Sequence, residues 1–201
     1  MQGAYNGGLV GTRSNKTRQG APMINVQQAF QGDSSLRDKV LHMEGVPLSG
    51  DDMSRYNPRA HLFLEHEVHG KSREWMLGKH GEYILLYEFP GKSVGHWVCG
   101  WELPDGSIHH FDPYGKSPNF YTPEKPYLQV LQQGPFSYSK TDYQGHNRSM
   151  DTCGRHCLVR LQFREHSDDD YTGLIHRNGN ADEEVTLMTL NVTMEGKKHK
   201  R

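Results

Sequence analysis

No run of apolar residues approaches the ~20 needed to span a bilayer, and the first residues lack the basic-then-apolar pattern of a secretory signal. The expectation is a soluble protein that is neither membrane-bound nor secreted. Cysteine is scarce: three residues cannot all pair within one chain, which suits a reducing compartment and a free thiol. Neither sign of charge dominates, with 23 Lys and Arg against 24 Asp and Glu, so no global attraction to nucleic acid is indicated. The 13 histidines form no H-E-x-x-H helix, no C-x-x-C pair accompanies them, and the adjacent His109 and His110 point to opposite faces of an expected strand. Neither a metal nor a cofactor is expected. No internal repeat is evident. At 201 residues the chain is long enough for one domain with a real core that does not need disulfides.

Residues 1–35 are rich in Gly, Asn, Gln and Ser and show no sustained periodicity, the composition of a flexible arm. A domain over 36–196 follows, then a basic tail over 197–201, KKHKR, for which a solvated tail, a nuclear-import signal and a contact to DNA phosphates all fit. Within the domain, 36–43 reads as a short helix and 47–53 as a capped turn into the next one. Residues 82–89, 96–103 and 107–112 read as strands. Pro104-Asp105-Gly106 is a turn signal between the last two. Residues 116–134 are loop-rich with a short helix at 127–131, and 135–144 is a strand leading to Gln144. The segment 166–184 is acidic and turn-rich, and 184–192 fits a last helix or strand.

The hairpin brings the start of one strand beside the end of the next. His96 opens the first and Asp112 closes the second, so their side chains can meet if both point to one face. Downstream, QGHNRSMDTCGRHC over 144–157 places a cysteine and a glycine at an expected helix start, with apolar or small residues at Cys153, Cys157, Leu158, Leu161 and Phe163 forming a buried stripe. Asp151 and Thr152 are good capping residues immediately before it. A thiol in the first helical turn meets unpaired N–H groups and the helix dipole, which favour the thiolate. Gly154 would let a substrate backbone approach closely. Cys157 shares a helix face with Cys153 and reads as core, as does Cys99 in its hydrophobic strand.

These residue types are the parts of a cysteine nucleophile. An imidazole must take the thiol proton, a carboxylate must hold that imidazole in the right tautomer, and hydrogen-bond donors must face the oxyanion. The order His96, Asp112, Gln144, Cys153, with HW, then FDPYG, then QG-x-N before CG-x-x-C, resembles the adenain-type cysteine proteases of DNA viruses, in the same clan as the SUMO-specific proteases.

The resemblance covers about 95–157. It implies His96 as base, Asp112 as orienting acid, Cys153 as nucleophile and Gln144 as oxyanion-hole amide, with Trp97 packing beside the site and limiting access. One departure is the nine-residue spacing from Gln144 to Cys153, slightly longer than in the adenoviral enzymes. The expected fold is α+β, a mixed, mainly antiparallel central sheet packed against the helix bearing the nucleophilic cysteine. The expected activity is endopeptidase cleavage of viral precursor proteins near glycine-containing sites, in the virion and the infected cell. By resemblance alone, DNA or a peptide could act as activator. Tyr5-Asn6-Gly7-Gly8 in the arm is a candidate self-processing site. Two alternatives keep the same triad: a protease for ubiquitin-like modifiers, and an acyltransferase.

Overall fold

The computed structural model describes residues 34–89, 91, 95–121, 126–146, 150–177 and 179–190. Tyr5-Asn6-Gly7-Gly8, the arm up to residue 33 and the basic tail lie outside them. The described elements, in chain order, are α1 (Ser34–Glu44), α2 (Gly50–Tyr56), β1 (His61–Leu64), α3 (Arg73–Leu77), β2 (Glu82–Glu88), β3 (Gly95–Glu102), β4 (Ile108–Phe111), α4 (Pro126–Leu131), β5 (Phe136–Tyr138), α5 (Cys153–Gln162), α6 (Asp168–Ile175) and α7 (Ala181–Met188). The fold is α+β, as the strand and helix signals imply.

The five strands form one mixed sheet in the order β1-β2-β3-β4-β5. Antiparallel ladders occupy its centre, β2 with β3 and β3 with β4. Parallel ladders close both edges, β1 on β2 and β5 on β4. The two central strands carry nearly unbroken apolar runs because both faces of the sheet are covered. One face packs Trp97, Cys99, Trp101 and Phe111 against α2, α5, α6 and α7. The other packs Tyr83, Leu85, Tyr87, Val98 and Ile108 against α3 and α4. Alternation along β3 therefore sends His96 and Trp97 to opposite faces.

Pro104-Asp105-Gly106 forms the expected turn. Leu103 N–H donates to Ser107 O at 2.8 Å, Asp105 Oδ1 accepts from Ser107 N–H at 2.9 Å, and Gly106 takes a φ of 79° that a side chain would resist. Beyond the hairpin, the chain crosses over through α4 and returns as β5. Tyr143 and Gln144 then donate their N–H groups to Pro113 O at 2.8 and 3.0 Å. That pair of bonds pins Gln144 to the residue that follows Asp112.

α5 is buried almost all round, not along one stripe. Two thiols fasten it to β3: Cys157 Sγ donates to Trp97 O at 3.4 Å and Cys99 Sγ to Cys157 O at 3.7 Å. Burial pushes the Cys157 thiol well up, so it stays protonated in this packing role. Arg160 lies between the rings of Trp101 and Tyr171, 4.6 and 4.7 Å from their centroids, and bonds Asp168 Oδ1 at 3.1 Å. The acidic stretch read as turn-rich contains α6 and the start of α7. Ser167 and Asn180 cap these helices, and carboxylates fill their first turns, where the helix dipole favours negative charge. The short elements β1 and α3, four and five residues long, carry too little periodicity to be read from sequence.

Candidate active site

The β3–β4 hairpin brings His96 and Asp112 into contact. Position 112 has the same parity as His110, which shares the His96 face of the sheet, and His96 Nε2 lies 2.9 Å from Asp112 Oδ1. Tyr114 N–H donates to the same oxygen at 2.8 Å. Two acceptor bonds on one oxygen fix the carboxylate, and the carboxylate fixes the ring. With Nε2 engaged, Nδ1 is left for the thiol of Cys153, which stands within hydrogen-bond reach of His96.

His96 is 4 % exposed. Burial by itself would lower its pKa, but the hydrogen bonds to Asp112 and Cys153 and their charges outweigh it and raise His96 from 6.5 to about 9. Two tyrosines shield the imidazole. Tyr114 stacks on it at 5.0 Å between centroids, and Tyr121 approaches at 4.9 Å. The outer face of Tyr114 stacks on His146 at 5.3 Å, which in turn bonds Asp142 Oδ2 at 2.6 Å. Burial and the nearby Cys153, Asp182 and Asp112 push the Tyr114 phenol up to about 12, so it remains neutral. Sequence reading did not single out either tyrosine, although Tyr114 lies inside the FDPYG run.

Cys153 is the first residue of α5 and is partly exposed, whereas Cys99 and Cys157 are buried. The expected capping role of Asp151 and Thr152 is not what the structure shows: no side chain caps this helix start. The Thr152 hydroxyl is drawn instead to Asp182 Oδ1, and Asp151 uses its N–H, bonded to Glu44 O at 2.7 Å. The first-turn N–H groups of α5 therefore carry no bond from the side chain of the residue that would cap them.

Two further expectations are corrected. Trp97 does not guard an entrance: it is buried, its indole N–H donates to Leu48 O at 3.0 Å, and it lies beneath the helix start. Gly154 serves packing and not substrate approach. A Cβ there would stand 3.1 Å from both Met53 Sδ and Trp97 Cδ1 and 3.3 Å from Leu48 Cβ. The glycine lets the first turn of α5 settle onto α2 and β3.

Gln144 is buried, and its Oε1 has no hydrogen-bond partner among the described residues. The structure ties the backbone on either side of the interval between Gln144 and Cys153 to one carboxylate. Gly145 N–H donates to Asp182 Oδ2 at 2.8 Å, Thr152 Oγ1 donates to Asp182 Oδ1, and His156 Nε2 reaches Oδ1 at 3.0 Å. Burial opposes the charge on Asp182, but His156, Thr152 and the Gly145 N–H together hold it below the usual carboxylate range. Asp182, 29 positions after Cys153 in a segment of no evident motif, gave no signal in the sequence.

Among the described residues no group of three or more His, Cys, Asp or Glu could hold a metal ion. None of the described helices is long and apolar enough to cross a membrane. No protein-family model matches the chain. It is similar to the uncharacterized protein V9 of Sputnik virophage, 28% identical over 138 residues that span 57% of this chain and 77% of that protein. The similarity sets the chain beside a viral protein.

Proposed function

We propose that this chain is a cysteine endopeptidase acting through Cys153, His96 and Asp112. The observation that carries the proposal is the buried His96–Asp112 hydrogen bond with the partly exposed Cys153 beside it at an uncapped helix start. A pair with a strong mutual preference for the imidazolium, next to a thiol, is the arrangement that generates a nucleophile near neutral pH.

In the proposed reaction the Cys153 thiol gives its proton to His96 Nδ1, and the thiolate attacks a peptide carbonyl. Asp112 stabilises the imidazolium and holds its orientation. The oxyanion is met by the Cys153 backbone N–H and the Gln144 side-chain amide. His96 then protonates the leaving amine, which departs and leaves an acyl-enzyme. Water, deprotonated by His96, attacks the thioester and regenerates the thiol. The similarity to a virophage protein supports a viral setting, and the resemblance to adenain-type enzymes supports viral precursor proteins as substrates, cut next to glycine.

Purified protein incubated with Gly-Gly-containing peptides should cleave them, and iodoacetamide should label Cys153 and stop the cleavage. Cys153→Ala and His96→Ala should remove the activity. Cleavage that survives Cys153→Ala overturns the proposal. Cleavage of a ubiquitin-like fusion with no cut in viral precursors would move the substrate to modifiers, and acetyl-CoA-dependent labelling of a target would identify an acyltransferase instead.

A further inference from the structure

The interval between Gln144 and Cys153 poses a geometric problem that the triad does not solve. Cys153 belongs to α5, whereas Gln144 hangs from the Pro113 carbonyl at the end of the hairpin. An oxyanion hole made from both must hold them to within a fraction of an ångström of one point. Eight residues of intervening chain cannot do that by themselves.

The structure assigns this task to Asp182: we propose that it is a positioning residue, clasping Gly145 and Thr152 so that the Gln144 amide and the Cys153 N–H converge on one oxyanion. The inference rests on the peptidase reading and deepens it. Asp182 is 3 % exposed and sits in the first turn of α7. Its own N–H is bonded to Asn180 Oδ1 at 3.0 Å, so the carboxylate projects from a fixed helix end. One oxygen takes the Gly145 N–H, one residue after Gln144, and the other takes the Thr152 hydroxyl, one residue before Cys153. His156, one turn into α5, binds the second oxygen and ties the clasp to the body of that helix.

Gly145 is matched to this contact. A Cβ there would lie 3.0 Å from Asp182 Oδ2 and 2.8 Å from Met150 Sδ. A side chain there would crowd the Asp182 carboxylate itself, so glycine suits the close approach of this backbone to it. The His96–Asp112 pair, by contrast, is held by β3 and β4 and has no bond to Asp182. Loss of Asp182 should therefore disturb the oxyanion hole while sparing the thiol and its base.

That separation is measurable because alkylation by iodoacetamide passes through no oxyanion, whereas peptide hydrolysis does. In Asp182→Asn, kcat for a cleaved peptide should fall about 100-fold with KM changed by less than about threefold, while the rate of Cys153 alkylation stays within about threefold of wild type. Thr152→Val, which deletes one of the three bonds, should show the same split with a drop of roughly tenfold in kcat, and decides the matter alone if Asp182→Asn does not fold. Parallel loss of alkylation and hydrolysis in a folded variant, or no loss of either, overturns the assignment. If wild-type protein shows no Cys153-dependent cleavage, the peptidase reading itself falls and takes the assignment with it, an outcome visible before any Asp182 variant is made.

Discussion

Replacing Asp112 by asparagine keeps the shape of the side chain and removes its charge, so it isolates what holds the proton on His96. In the intact site that proton is held up to about 9 against an ordinary 6.5, although burial works the other way. The difference corresponds to about 3 kcal/mol of folding stability, a visible share of the ~5–15 kcal/mol typical of a domain. Its sign follows from which state binds the proton more tightly. Below pH 6.5 both folded and unfolded chains carry it and the contribution is complete. Between 6.5 and about 9 the unfolded chain has released it while the folded chain has not, so the unfolding free energy declines across this window and the contribution is gone above it.

In Asp112→Asn the burial that lowers the pKa is opposed by Cys153 alone, and the decline should disappear. Urea unfolding at steps from pH 6 to 9.5, read as the difference between the two proteins, cancels the titration of every other group. Cleavage provides a second reading. The alkaline limb of kcat/KM, set by loss of the imidazolium proton, should lie near 9 in wild type and move down in the variant, with a fall of ~10³-fold at the optimum, within the range of general acid–base catalysis. Parallel stability curves and an unmoved alkaline limb would refute the assignment of Asp112 as the partner that holds His96.

Three other outcomes are expected. Gln144→Ala should lower kcat by ~10²-fold and leave KM nearly unchanged, because its amide is needed only once the oxyanion forms; a fall confined to KM would assign Gln144 to substrate binding instead. Titration of the native protein with a thiol reagent should find Cys153 fast and the buried Cys99 and Cys157 slow until denaturant is added, all three being free. Gly154→Ala should cost about 1–3 kcal/mol by overpacking against Met53 and Trp97, seen as a lower Tm; an unchanged Tm would mean that the first turn of α5 has room the structure does not show.

The hairpin is the part of the site most legible in the sequence. Strong strand formers on either side of a Pro-Asp-Gly turn define the β3–β4 pairing within a residue, and that register with strand alternation brings His96 diagonally to Asp112 on one face. Cys153 at a helix start was readable for a similar local reason, the onset of an apolar stripe after polar residues. Trp97 and Gly154 were misread because their roles depend on what lies beneath the helix: Leu48 and Met53, some hundred residues upstream, occupy the space that sequence reasoning left to substrate. The acidic segment before α7 was misread because carboxylates after Ser or Asn also begin helices, and only tertiary packing decides between helix and turn.

The sequence by itself determined the chemical parts, their order along the chain and the local elements that carry them, because turns, strand alternation and helix starts are governed by neighbouring residues. Tertiary structure alone decided how the two halves of the site meet. The tyrosines around His96, the uncapped start of α5 and the Asp182 clasp across the Gln144–Cys153 interval all arise from contacts between distant segments. Such contacts leave no periodic trace, since a buried carboxylate chooses its partners by geometry in three dimensions.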